Sequence, residues 1–312
     1  MSAVVDRAAI EAAAQRIGAH VRTTPVVEIE ANGFDASGKL VLKLECLQHT
    51  GSFKPRGALN RMLSMAIPAA GVIAASGGNH GLAVAWAARR LGYRAEIFVP
   101  MITPAIKVSR LRELGAVVNQ VGAVYADAFA ASQVRQAETG AVVVHAYDQP
   151  EVVAGQGTMA MELEQQCAAI DTVVVAVGGG GFIGGITAWY GGRARIIGVE
   201  PETSCALHAA LAAGEPVDVD VSGVAADSLG ARRVGGIAFP ILRRHVQEVV
   251  LVTDDEIGAA ARRLWRDWRV IAEPGGAAAL AAVLSGRYRP APDERVAVVV
   301  CGANCDPATL SS

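Results

Sequence analysis

The sequence predicts an α/β protein built from parallel sheets flanked by helices. Three observations carry that expectation. Short β-branched runs recur along the chain, most of them apolar on both faces, as strands covered on two sides by helices must be. Ala-rich stretches with helical spacing separate these runs. Strand–helix alternation sustained over 312 residues calls for parallel pairing with right-handed crossovers. Taken in order, the N-terminal MSAVVDRAAIEAAAQRIGAHVRTTP reads as an amphipathic helix. Strands are predicted at 40–45 (LVLKLE), 71–75 (GVIAA), 95–99 (AEIFV), 116–118, 142–145, 172–177 (TVVVAV), 195–199 (RIIGV), 248–252 and 296–300 (VAVVV). Helices fall between them, for example 81–91 (GLAVAWAARRL) and 104–114, where Thr103 can cap and Pro104 takes the first helical position. No repeat, low-complexity segment or linker interrupts the pattern.

Composition narrows the function. At 52% hydrophobic and 19% charged, the chain can bury a large core and is not generally disordered. A net charge of −2 leaves no basic footprint for nucleic acid. No run reaches the roughly 18 uninterrupted apolar residues of a membrane helix, and the N-terminus lacks a signal-peptide pattern. Cys46, Cys167, Cys205, Cys301 and Cys305 are odd in number and scattered, so free thiols in a reducing cytoplasm are the expectation. Only four of the 28 basic residues are lysines (Lys39, Lys43, Lys54, Lys107), so chemistry that needs an amine has four candidates.

Four segments could carry chemistry. In Leu47–Asn60 (LQHTGSFKPRGALN), Lys54 lies in a Gly- and Ser-flanked turn whose Pro55 hinders any helix already under way. An amine buried there would have a lowered pKa and could form an imine with an aldehyde; the plain alternative is a solvated loop lysine. The other three lysines look ordinary: Lys43 alternates along a strand, Lys107 lies on an exposed helix and Lys39 follows Gly38 in a turn. In Ala75–Gly81 (ASGGNHG), a Ser/Gly turn opens a helix and presents backbone N–H groups to an anion, and Asn79 adds a side-chain amide. An ordinary strand-to-helix turn explains that segment equally well.

The third segment is Val177–Gly185 (VGGGGFIGG). Its four consecutive glycines, Gly178 to Gly181, follow an apolar strand and open a helix, a strong signal for a phosphate. Gly179, Gly181 and Gly184 also satisfy the dinucleotide fingerprint, with Glu200 near the place of a ribose-binding acid, so a nicotinamide dehydrogenase is a rival on this segment alone. The fourth, Val299–Asp306 (VVCGANCD), is a strand running into a Gly/Asn turn; Cys301 there is as readily a core thiol as a ligand contact, and Cys301 with Cys305 makes no zinc site.

Together these segments resemble the fold-type II pyridoxal-phosphate enzymes, in the serine/threonine dehydratase and serine racemase branch. The resemblance spans nearly the whole chain and keeps the order KLECLQHTGSFKPRGA, SGGNHG, VGGGGFIGG, GVEP, EPGGAA, VVCGAN. It implies a two-lobed fold like that of the tryptophan synthase β subunit, with a large cofactor-binding lobe at 1–50 and 146–312 and a small lobe at 51–145. It also implies roles. Lys54 would form a Schiff base with pyridoxal 5'-phosphate, and Phe53 would lie near the cofactor ring. Asn79 would bond the ring hydroxyl, Gly178, Gly179, Gly180, Gly181 and Phe182 would hold the phosphate, and Cys301 would face the pyridine nitrogen. A dehydrogenase has no use for the SFK segment; an imine enzyme needs the amine and the phosphate grip together.

The activity implied is that of a lyase of amino-acid metabolism, a threonine dehydratase or serine dehydratase that converts a β-hydroxy amino acid to a 2-keto acid and ammonia. Freed Lys54 would take the Cα proton. Ser76, Gly77, Asn79 and His80 would meet the substrate, its carboxylate resting on Ser76 and the amides of the 76–80 turn. A thiol at Cys301 would leave the pyridine nitrogen unprotonated, favouring prompt elimination. Gly77 stands where racemases of this branch carry a serine hydroxyl, which disfavours serine racemase but not 3-hydroxyaspartate dehydratase; a catalytically idle binding protein is the reading from another class. Glu200 is the one residue matching the branch's metal site, and the later acidic position is Ala206. Glu273 is either near the cofactor or a helix N-terminal acid. A cytoplasmic homodimer without an appended regulatory module completes the expectation.

Overall fold

In the computed structural model, which describes residues 5–30, 33–35 and 37–310, ten strands form two sheets. The strands are β1 (Val26–Glu28), β2 (Lys39–Lys43), β3 (Val72–Ala75), β4 (Ala95–Val99), β5 (Val117–Gln120), β6 (Val142–Val143), β7 (Thr172–Ala176), β8 (Arg195–Pro201), β9 (Val246–Val252) and β10 (Arg295–Val299). A six-stranded sheet has the order β1-β2-β10-β7-β8-β9, and a four-stranded sheet the order β5-β4-β3-β6. Every pairing is parallel except that of β1 with β2. Central strands are buried on both faces, all five residues of β7 among them, which is why their sequences run apolar without alternation.

The helices are α1 (Arg7–Ile17), α2 (Lys54–Leu63), α3 (Asn79–Leu91), α4 (Ala105–Glu113), α5 (Tyr125–Thr139), α6 (Pro150–Gln166), α7 (Gly181–Tyr190), α8 (Ala206–Ala213), α9 (Ala226–Leu229), α10 (Ala238–His245), α11 (Asp254–Trp268) and α12 (Pro274–Leu284). The first four residues of the predicted N-terminal helix lie outside the described residues; the rest begins at the Asp6 cap, whose side chain accepts from the Ala9 amide at 2.9 Å. Pro104 proves to be the cap of α4 rather than its first residue, and the Thr103 side chain caps nothing, because Pro104 takes an extended ψ of 138°. The short strand β1 has no counterpart among the predicted strands. Its three residues at a sheet edge are too few to carry a pattern.

The strands that lead into the predicted motifs end at one place. β3 runs into the 76–78 turn and α3, β7 into the glycine loop and α7, and β10 into Cys301. Ligands of open parallel sheets bind at such carboxyl ends. Behind the site, Arg56 of α2 donates to both oxygens of Glu45 (2.8 Å each) and to Glu162 of α6 (2.9 Å). Lys43 corrects the sequence reading. It lies on β2, an interior strand, is fully buried, and donates to Glu162 (2.6 Å), Gln166 (2.6 Å) and the Thr24 carbonyl (2.9 Å). Two cations and two carboxylates thus neutralise one another where isolated charges would be costly.

Candidate active site

Lys54 opens α2 instead of sitting within a turn. Pro55 follows it in the first turn, where a missing N–H costs nothing. The segment before it is tied to the exit of β10: Ser52 pairs with Gly302, the Phe53 amide donates to the Cys301 carbonyl (3.2 Å), and the Ala303 amide to the Gly51 carbonyl (2.9 Å). Half-buried, the Lys54 amine donates to the Ala146 carbonyl at 2.8 Å and lies 5.1 Å from the centre of the Phe53 ring. Burial lowers its pKa from 10.5 to about 8, against the opposing pull of Glu273.

That amine opens on a cavity shared with Phe53, Asn79, Gly178 to Ile183, Glu273 and Cys301, and with Tyr147, Ser228 and Leu229. Gly180 caps α7 at φ 86°, without a side-chain cap, so the first amides of α7 have no intrahelical acceptor and carry the positive end of its dipole. Packing explains part of the glycine run. A Cβ on Gly179 would lie 2.3 Å from the Tyr147 ring, and one on Gly181 would lie 2.4 Å from the Tyr147 carbonyl oxygen. Phe53 and Phe182 stack directly on each other in the cavity wall, centroids 3.9 Å apart. Buried Cys301 directs its Sγ to the Gly275 carbonyl at 3.3 Å, and burial pushes its thiol far up, keeping it neutral.

A second cavity meets the first at Asn79 and Glu273, and is lined also by Gly77, Gly78, Leu82, Lys107, Arg110, Asp227 and Asn304. The Asn79 Nδ2 donates to Glu273 Oε1 at 2.6 Å; Glu273 caps α12, and burial raises it to about 7. Lys107, read from sequence as merely exposed, pairs with Asp227 at the rim. Ser76 lines neither cavity; its Oγ accepts from the Gly78 amide at 3.3 Å. His80 is likewise turned away, buried with Nε2 2.8 Å from the Val144 carbonyl, and burial followed by the Lys54 charge drives its pKa down to about 3. Glu200, near the end of β8, is buried, its oxygens accepting from the α8 amides of Leu207 and His208 at 2.8 Å each. Among the described residues no group of three or more His, Cys, Asp or Glu could hold a metal.

These walls fit pyridoxal phosphate: a nucleophilic amine of lowered pKa, an uncapped helix start for a dianion, an amide donor, and a neutral thiol. Two parallel sheets meeting at such a cavity define a cofactor-dependent α/β enzyme. The family model described as "Pyridoxal-phosphate dependent enzyme" matches residues 17–302, and the chain belongs to that family. It is 38% identical over 307 residues to the L-threonine ammonia-lyase of Geobacter sulfurreducens, across 97% of this chain and 76% of that one. Maize serine racemase superposes with a TM-score of 0.93 at 33% identity, covering 99% of this chain and 96% of that one. The processed form of threonine deaminase isoform 2 from Solanum lycopersicum does so at 0.90 and 30% identity, covering 100% and 89%.

Proposed function

We propose that this enzyme is a threonine/serine dehydratase, an ammonia-lyase that removes water from a β-hydroxy amino acid and releases a 2-keto acid and ammonia. The observation that carries the reading is the Lys54 amine, half-buried beside the glycine loop and lowered to about 8. Similarity to the threonine ammonia-lyase of Geobacter sulfurreducens supports the choice of substrate. Pyridoxal phosphate, when bound, supplies the electron sink that makes the substrate Cα–H acidic. The α7 amides would hold its phosphate, the Asn79 Nδ2, which already donates one N–H to Glu273, would offer the other to its ring hydroxyl, and the neutral Cys301 thiol would meet the ring nitrogen. Lys54 Nζ takes the Cα proton, because a largely desolvated amine near pKa 8 is a competent base at neutral pH. The substrate carboxylate rests on the amides opening α3, whose cap Gly78 offers no competing side chain.

At Gly77 there is no hydroxyl to reprotonate the second face, so elimination should outrun racemisation. The Lys107 and Arg110 cations beside the second cavity keep 3-hydroxyaspartate among the substrates to be tried. The proposed lobes are 1–50 with 146–312 and 51–145; the four-stranded sheet, at 72–143, falls inside the second. A cytoplasmic homodimer belongs to the same proposal, supported by five cysteines all free and by exposed Met101, Ile102 and Ile106. The deciding assay measures keto acid and D-serine from L-threonine, L-serine and the 3-hydroxyaspartates with cofactor-loaded protein. Keto acid from L-threonine or L-serine, lost in Lys54→Ala, is expected. D-serine in excess of pyruvate would instead make it a racemase.

A further inference from the structure

Asn304 closes the sequence motif VVCGAN, yet the mechanism above leaves it without a role. Its Nδ2 donates to the Thr50 carbonyl at 2.7 Å and to Asn79 Oδ1 at 2.6 Å. A backbone carbonyl only accepts, so the Asn304 atom facing Thr50 must be the nitrogen. The same NH₂ faces Asn79, so the Asn79 atom opposite it must be the oxygen. By elimination the Asn79 nitrogen points the other way, to Glu273 Oε1 at 2.6 Å. The order of donors and acceptors follows from the Thr50 carbonyl alone. The chain also holds that carbonyl at a cost: Thr50, a β-branched residue, sits at φ 60°. Gly51 follows at φ +75°, and a Cβ there would come within 3.0 Å of Asn304 Oδ1.

We propose that Asn304 is a positioning residue for the cofactor: it locks the Asn79 amide so that a donor, not an acceptor, faces the cavity. An ionised ring hydroxyl is an acceptor and would be repelled by the Asn79 oxygen, so the orientation of one amide decides whether Asn79 helps or harms binding. The inference rests on Asn79 facing the cofactor and is independent of the choice of substrate.

Asn304→Asp tests it, because the variant is isosteric but donates nothing; Asn79 then lies between two acceptors, residue 304 and Glu273, and each turn of its nitrogen toward residue 304 presents oxygen to the cavity. Asn304→Ala frees the amide without inverting it. The readout is the dissociation constant of pyridoxal phosphate from the apo-protein, with the melting temperature of each apo variant measured alongside. Asn304→Asp should weaken binding about tenfold or more, and more than Asn304→Ala. In an Asn79→Ala background its effect should shrink to about threefold or less, a cycle that also removes the effect of the added charge. A merely structural Asn304 gives the reverse order, Ala worse than Asp, and equal losses in both backgrounds; that result overturns the proposal. Unchanged affinity in Asn79→Ala overturns both it and the reading of Asn79. A loss in Asn79→Ala with none in Asn304→Asp overturns the proposal alone. Should Asn304→Asp not fold, Asn304→Ala in the two backgrounds decides by the same coupling.

Discussion

One amine among four becomes a reagent because of where it is buried. With its pKa lowered to about 8, Lys54 is neutral in roughly a tenth of molecules at pH 7, against roughly one in a few thousand for an ordinary lysine. Only the neutral amine attacks a carbonyl, so reactivity should rise with pH and level off above about 8. Pulse acetylation of the apo-protein with acetic anhydride, followed on the Lys54 peptide by mass spectrometry, should give a midpoint near 8; a midpoint above 10 would contradict the burial argument. At this scale the sequence marked Lys54, Asn79, the glycine run and Cys301, because each lies where punctuation ends a strand or opens a helix. Tyr147, Ser228 and Leu229 reach the cavity only through tertiary packing, which no local pattern announces. His80 and Ser76 shared the marked turn, but the peptide geometry there turns one inward and closes the other on Gly78. Lys43 fits an alternating strand equally well with either face covered; only the position of β2 between β1 and β10 buries it.

Among the elements, α6 sets the distance between the amine and the phosphate grip. It lies against α2 on one side and α7 on the other, and glycines make both contacts. A Cβ on Gly155 would fall 2.5 Å from the Arg56 carbonyl oxygen, and one on Gly157 would fall 2.8 Å from that of Gly185. Gly157→Ala must therefore push α7 outward, at a strain of about 1–3 kcal/mol that outweighs the roughly 1 kcal/mol alanine gains in a helix. The expected outcome is a melting temperature lower by a few degrees together with weaker pyridoxal phosphate binding. Gly258→Ala in α11, where a Cβ meets nothing nearer than the Arg262 guanidinium at 3.4 Å, should instead stabilise by about 0.5–1 kcal/mol. Equal effects from the two substitutions would show that helix propensity alone is at work. All nine strands read from the sequence exist; in β4, β7 and β10 double-sided burial writes itself as apolar runs, whereas β5, β6 and β9 are only partly covered. Glycines inside a helix argue against the helix locally, so the spacer role of α6 became legible only in the packed structure.

Across the whole molecule, three contacts between side chains span the cleft at the two cavities, beside the ties of residues 50–53 to 301–304. Two are internal, Asn304 to Asn79 and Asn79 to Glu273. The third, Lys107 with Asp227, stands at the rim: α4 lies between strands of the four-stranded sheet and α9 between strands of the six-stranded sheet. The two side chains are 31% and 70% exposed, so the pair adds little to global stability, about 0–1 kcal/mol by the usual measure of surface pairs. Its leverage is on shape. If substrate is held by the closed cleft, anything that lowers the closed population lowers apparent affinity by the same factor. Lys107→Ala should then raise KM for L-threonine about two- to fivefold, leave kcat within about twofold, and leave the melting temperature nearly unchanged. Salt supplies the internal control. At 1 M the Debye length is about 3 Å, so the wild-type KM should climb toward that of the variant while the variant barely responds. Exchanging the partners, Lys107→Asp with Asp227→Lys, should recover part of the loss because the attraction survives inversion. A KM indifferent to both substitution and salt would mean that the rim pair closes nothing and that the cleft is held by the contacts inside it.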